Sequence, residues 1–129
     1  EDMKTVTISQ TTPRRILPRL YLYRDENFRG RRFIWRGNVG IRNLERLYDD
    51  IESLRFFSPN PNGTLVLFSG TNFRGRFRIF RGTTNIRDLD DIIAGEDPDS
   101  LIMARTRLTL AQIRTIRRTG RLPAGFRSV

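Results

Sequence analysis

YRDENFRGRRFIWRGNVGIRNL, residues 23–44, returns as FSGTNFRGRFRIFRGTTNIRDL, residues 68–89, at a constant offset of 45. NFRGR is shared outright, and Arg-Gly recurs at 36–37 and 81–82. After two extra residues, Ala94 and Gly95, the offset becomes 47 and IESLRF answers PDSLIM. A repeat of this length marks one structural unit used twice. The copies run over 20–58 and 64–104, joined by SPNPNGT, whose two prolines and Asn-Gly read as a turn.

Each copy reads as β. YLYRD and LVLFS alternate or run apolar, RRFIWR and RFRIF alternate basic with apolar, and SLRFFS and SLIMA close each unit. Four strands per copy within about 85 residues indicate an all-β Greek-key sandwich. The pattern places Arg31, Arg76 and Arg78 on outward strand positions, and short helical pieces at Asn43–Tyr48 and Asp88–Ile93. Nine Phe, three Tyr and one Trp in 129 residues supply a core. No apolar run approaches the roughly 20 residues of a membrane span.

Composition removes whole classes of chemistry. Without Cys there is no disulfide, thiolate zinc site or cysteine nucleophile. Without His there is no imidazole base, Ser-His-Asp triad or His-ligated metal. Carboxylates, hydroxyls and carbonyls remain, and those select hard cations. An enzyme is not expected.

Charge divides the chain differently. Twenty-three Arg and a lone Lys oppose 14 acids, giving +10. Residues 16–103 are nearly balanced, with 14 Arg and 12 acids, whereas 104–129 hold seven Arg and no acid. Three regions follow: an N-terminal arm (1–15), a domain (16–104) and a basic arm (105–129). KTVTIS, residues 4–9, alternates like a strand that adds to a sheet edge. In the basic arm Thr109 can cap a helix, Leu110, Ile113 and Ile116 form its apolar face, and Gly120 can stop it. Its cations are Arg105, Arg107, Arg114, Arg117, Arg118, Arg121 and Arg127. Seven such charges need acids, carbonyls or phosphates nearby, and the body offers the stretch Asp88–Asp91 with Glu96, Asp97 and Asp99, on its own or a neighbouring chain. The arm can dock on its own body, on another copy or protein, or on nucleic acid or an anionic surface.

The paired hairpins resemble those of the βγ-crystallin superfamily, in particular its microbial two-motif members. The signature of an aromatic, four residues, a second aromatic, any residue and Gly is met by Tyr23–Phe28–Gly30 and by Phe68–Phe73–Gly75. Ser53 and Ser100 stand where the family places a Ser before the fourth strand. The resemblance covers residues 20–104 and implies a non-enzymatic structural or binding module. It also implies calcium loops at Tyr48–Ser53 and Gly95–Ser100. By that resemblance the side chains of Asp49, Glu96, Glu52 and Asp99 and the carbonyls of Asp50, Asp97, Arg24 and Ser69 are the candidate ligands. Both loops depart from the pattern: the first position has lost its acid or amide, and Glu52 and Asp99 replace hydroxyls. Competent calcium loops and loops whose acids pair with Arg both remain open, an Arg at 24, 29 or 74 being able to take the cation's place. A subunit of a coat, filament or shell with vestigial loops, and an inhibitor or toxin on the same scaffold, are the alternatives. An extracellular or surface setting is favoured.

Overall fold

The computed structural model describes residues 17–129, so the expected N-terminal strand-like arm lies outside the described residues. Motif one supplies β1 (Arg19–Asp25), β2 (Arg29–Arg36), β3 (Val39–Ile41), α1 (Leu44–Tyr48) and β4 (Ser53–Phe57). Motif two supplies β5 (Thr64–Phe68), a 3-10 turn (Thr71–Phe73), β6 (Phe77–Arg81), β7 (Thr84–Ile86) and β8 (Ser100–Ala104). The basic arm adds α2 (Leu110–Thr119) and β9 (Arg127–Ser128).

Third strands change places. One sheet runs β2-β1-β4-β7 and the other β9-β3-β8-β5-β6, so β3 joins motif two and β7 joins motif one. Ile41 sits opposite Leu101, and Leu54 opposite Ile86. Backbone bonds repeat the exchange: Asn27 N–H donates to Arg87 O and Asn72 N–H to Arg42 O, at 2.9 and 2.8 Å. The two motifs are thus related by a pseudo-twofold and neither completes its sheet alone.

Each hairpin is pinned by one hydroxyl. Ser53 Oγ donates to Asp25 O at 2.6 Å and accepts from Phe28 N–H at 3.0 Å. Ser100 Oγ does the same with Gly70 O and Phe73 N–H, at 2.6 and 3.0 Å. The folded-back chain carries φ of +60° at Phe28 and +63° at Phe73, which a bulky side chain resists. Gly30 and Gly75 follow at +79° and +84°, and a Cβ at either would collide with Asp25 or Ser69. Phe73 is fully buried against Phe68, whereas Phe28 is half-buried with its edge toward Tyr23.

Between the sheets lies a core built from Leu20, Leu22, Leu54 and Phe56 facing Leu65, Leu67, Leu101 and Met103. Trp35 is half-buried at its edge, its indole N–H donating to Tyr48 Oη. A second core occupies the outer face of the five-stranded sheet. There Val66, Phe68, Phe73, Ile102 and Ala104 are covered by Leu108, Ile113 and Ile116. Thr109 caps α2 in a capping box with Gln112, and Gly120 ends it at φ +73°. The chain then crosses Gly40 so closely that a Cβ there would lie 2.7 Å from Leu122 Cδ1. β9 closes the arm by pairing parallel with β3.

Four expectations are corrected. Asp88–Ile93 forms turns rather than a helix: Leu89 N–H is drawn to Glu52 O, Asp91 takes a φ of +58°, and Ile93 pairs with Glu96 across a short bridge. Leu110 is exposed, since Leu108, just before the helix cap, fills that space instead. Arg78 lies opposite Leu67, and Arg31 lies over Phe33, both on the inward phase of edge strands though solvent-exposed; Arg78 Nη1 donates to Ile92 O at 3.0 Å. Among the described residues the arm's cations meet rings and one of the expected carbonyls, and not the acidic stretch. Arg117 lies over Phe77 and donates to Gly75 O, and Arg127 lies over Trp35. Arg114, Arg118 and Arg121 are exposed.

Ser100→Ala leaves the Phe73 N–H and the Gly70 carbonyl without their partner in a buried site, and should cost about 1–3 kcal/mol in urea unfolding. Deleting 105–129 exposes the second core. With each of Leu108, Ile113 and Ile116 worth roughly 1.5–3 kcal/mol, the truncated chain should melt well below the full one or self-associate.

Candidate functional site

Acids gather where the two motifs interlock. β7 lies beside β4, which brings the turn after β7 against the β1–β2 hairpin. Carboxylate oxygens of Glu26, Glu52, Asp88 and Asp90 all fall within 4.8 Å of one another. Glu26 comes from the hairpin, Glu52 from the residue before Ser53, and Asp88 and Asp90 from the turn. Backbone bonds fix the arrangement: Glu52 N–H donates to Tyr23 O at 2.9 Å and Leu89 N–H to Glu52 O at 2.8 Å. Asp88 Oδ1 accepts from Asp90 N–H at 2.9 Å, which turns the DLD segment back on itself.

A cleft of about 170 Å³ continues from this cluster, and Glu45, Asp49, Asp50, Asp90, Asp97 and Asp99 contribute to its wall. The electrostatics follow from like charges at close range. Glu52 is pushed up to about 7, first by sharing a hydrogen bond with Asp50, then by burial and by the charges of Asp50, Asp90 and Glu26. Asp90 is raised by desolvation and by Asp88, Asp97, Asp91 and Asp50. Asp99 is raised by burial and by Glu45 and Asp97. A protonated Glu52 relieves this repulsion in the free protein. A divalent cation would do so more completely, and four carboxylates offer up to eight hard oxygens, the donor set calcium takes.

The residues named from sequence divide between these places. Glu52 enters the four-carboxylate cluster. Asp49, Asp50, Asp97 and Asp99 line the adjoining cleft, Asp97 Oδ1 accepting from Asp91 N–H at 2.8 Å. Glu96 is exposed in a turn, its N–H donating to Ile93 O and its carbonyl accepting from Ile93 N–H. Arg24 carries a buried Nε without a hydrogen-bond partner among the described residues, and Ser69 Oγ accepts from Arg76 N–H at 2.9 Å. Glu26, Asp88 and Asp90 are absent from the family-style loop reading. The offset of 45 equates the loop after β3 with the loop after β7, and Asn43 with Asp88, but it does not bring either loop to the opposite hairpin. The corresponding set in the other half is Thr71, Asn43, Glu45 and Asp99, with two carboxylates in place of four.

No protein-family model matches the chain, and no curated protein matches its sequence. Solved structures do match. One, described under the evolution of the eye lens βγ-crystallin domain fold, is 22% identical with a TM-score of 0.54, over 73% of this chain and 92% of that one. Spherulin 3A from Physarum polycephalum is 23% identical with a TM-score of 0.54, over 70% of this chain and 85% of that one.

A carboxyl whose folded pKa lies above its unfolded value holds its proton more tightly when folded. Glu52, at about 7 against 4.5, therefore contributes stability at pH below 4.5 that is lost as pH rises to about 7. Metal-free urea unfolding should show that decline, and Glu52→Gln should flatten it. An unchanged slope between pH 4.5 and 7 in the variant would contradict the clustering.

Proposed function

We propose, for a chain that has the βγ-crystallin domain fold, that it is a non-enzymatic structural or binding module stabilised by calcium. One observation carries this reading: four carboxylates from three separate segments lie within 4.8 Å of one another. Side chains that repel at such range are a cost to the folded state unless a cation compensates them. The chain has no His or Cys to offer a softer metal. Glu26 and Glu52 would hold the ion from motif one, Asp88 and Asp90 from motif two. Binding would cross-link the β1–β2 hairpin to the turn after β7, and so tie the motifs together. Of the sequence-derived ligands this set keeps only Glu52. Asp49, Asp50, Asp97 and Asp99 act beside it as further negative charge in the cleft. No helix among the described residues is long and apolar enough to cross a membrane.

Thermal melts in excess calcium and in excess chelator test this. At 100 times its dissociation constant calcium should add about 2.7 kcal/mol. Asp88→Asn with Asp90→Asn should erase that gain while leaving the chelated protein as stable as the parent or more so, because repulsion is relieved. Coincident melts of the parent in saturating calcium and in chelator would exclude the site.

A further inference from the structure

The two outer sheet faces are opposites. That of the five-stranded sheet is apolar and lies under α2. That of the four-stranded sheet carries Arg32, Ile34 and Arg36 on β2, Arg19 and Tyr21 on β1, Arg55 and Phe57 on β4, and Asn85 on β7. Their register is set by Arg19 opposite Arg36 and Phe57, and by Tyr21 opposite Ile34 and Arg55. Asn85 continues the second row from Arg55. None of these positions is acidic. Phe57 and Ile34 are 43% and 40% exposed, large apolar groups left in water beside four cations.

Cations and rings interleave across this face. Arg19 Cζ lies 4.8 Å from the Phe57 ring centroid, Arg32 Cζ 5.1 Å from that of Tyr21, and Arg55 Cζ 4.0 Å from that of Phe28. Each guanidinium is thereby held against a ring, presenting a planar cation of its own. A depression of about 240 Å³ opens between Tyr21, Phe57 and Asn85. Planar cations and rings together are what unpaired bases stack on, while the charges meet phosphates. Asn85 supplies an amide edge to the same depression. The whole chain, at +10, adds long-range attraction for a polyanion.

We infer that the Arg–aromatic outer face of the four-stranded sheet binds single-stranded nucleic acid, its bases stacked on Phe57 and Tyr21 and its phosphates held by Arg19 and Arg55. The site is separate from the carboxylate cluster. A strand binds here through sheet-face stacking, and the basic arm contributes attraction only at a distance.

Fluorescence anisotropy with labelled 12-nucleotide oligouridine and oligothymidine tests the assignment on the full chain. Both single strands should bind, more tightly than a 12-base-pair duplex or heparin, and RNA against DNA then distinguishes the natural source. Phe57→Ala should weaken binding roughly five-fold or more. Arg19→Gln with Arg55→Gln should make the salt dependence shallower by about 0.7 in log–log slope for each phosphate left without its cation. Arg114→Gln with Arg118→Gln, on exposed faces of α2, should weaken binding less than either. Should Phe57→Ala fail to fold, the Arg19 and Arg55 pair decides alone. No oligonucleotide binding overturns the inference. So does equal affinity for heparin, capture by phosphatidylglycerol vesicles instead of oligonucleotides, or face variants that bind like the parent.

Discussion

Two serine hydroxyls hold the architecture together. Each is fully buried, and each both donates and accepts, to the carbonyl and the N–H of one folded hairpin. Without that bridge an L-residue at φ near +60° would relax, since the left-handed conformation is disfavoured for bulky side chains. The bridge also sets what comes next. Ser53 and Ser100 open β4 and β8, so the hydroxyl that pins a hairpin also fixes where the closing strand begins. The residue just before it, Glu52 or Asp99, is then held at the junction, its carbonyl receiving Leu89 or Leu44 N–H. The carboxylates meet because the serines place their neighbours there.

Strand exchange does the rest. β7 crosses to motif one and carries Asp88 and Asp90 to Glu26 and Glu52, more than 35 residues away in sequence. Local pattern made the strands legible: alternation in RRFIWR, the aromatic–aromatic–Gly spacing, and the duplicated Ser all point to paired Greek keys. The short helix at Asn43–Tyr48, and Thr109 with Gly120 as limits of the second, were equally readable, because helix starts and stops are local chemistry. The cluster was not. Anchoring on Ser100 selects Glu96, which the Ala94–Gly95 insertion leaves in an exposed turn, and passes over the DLD segment that the exchange delivers. Contacts between strands of different motifs have no signature in either motif.

The basic arm shows a similar division. Its apolar period predicts a docked face, and Ile113 and Ile116 are buried as that period requires. Leu108 replaces Leu110 because Leu108 N–H is drawn to Thr64 Oγ1, which places its side chain over β5 and β8. Covering the five-stranded sheet gives this chain a second core, and lets Val66, Phe68 and Ile102 be apolar on both phases of their strands. The opposite sheet stays bare of such cover among the described residues, and its outward positions are Arg, Tyr and Phe instead. Repeat, exchange and arm therefore leave three distinct surfaces: an acidic junction, an apolar face closed by α2, and a basic aromatic face.

A cation held by the four converging carboxylates displaces the proton that Glu52 keeps in the free protein. Titration calorimetry of calcium in two buffers of different ionisation enthalpy, at pH 6.5 and at pH 8.5, measures that exchange directly. With Glu52 at about 7, binding at pH 6.5 should release a substantial fraction of one proton, and binding at pH 8.5 almost none. Calcium binding with equal proton release at both values, or no binding heat at either, would contradict the assignment of the four carboxylates.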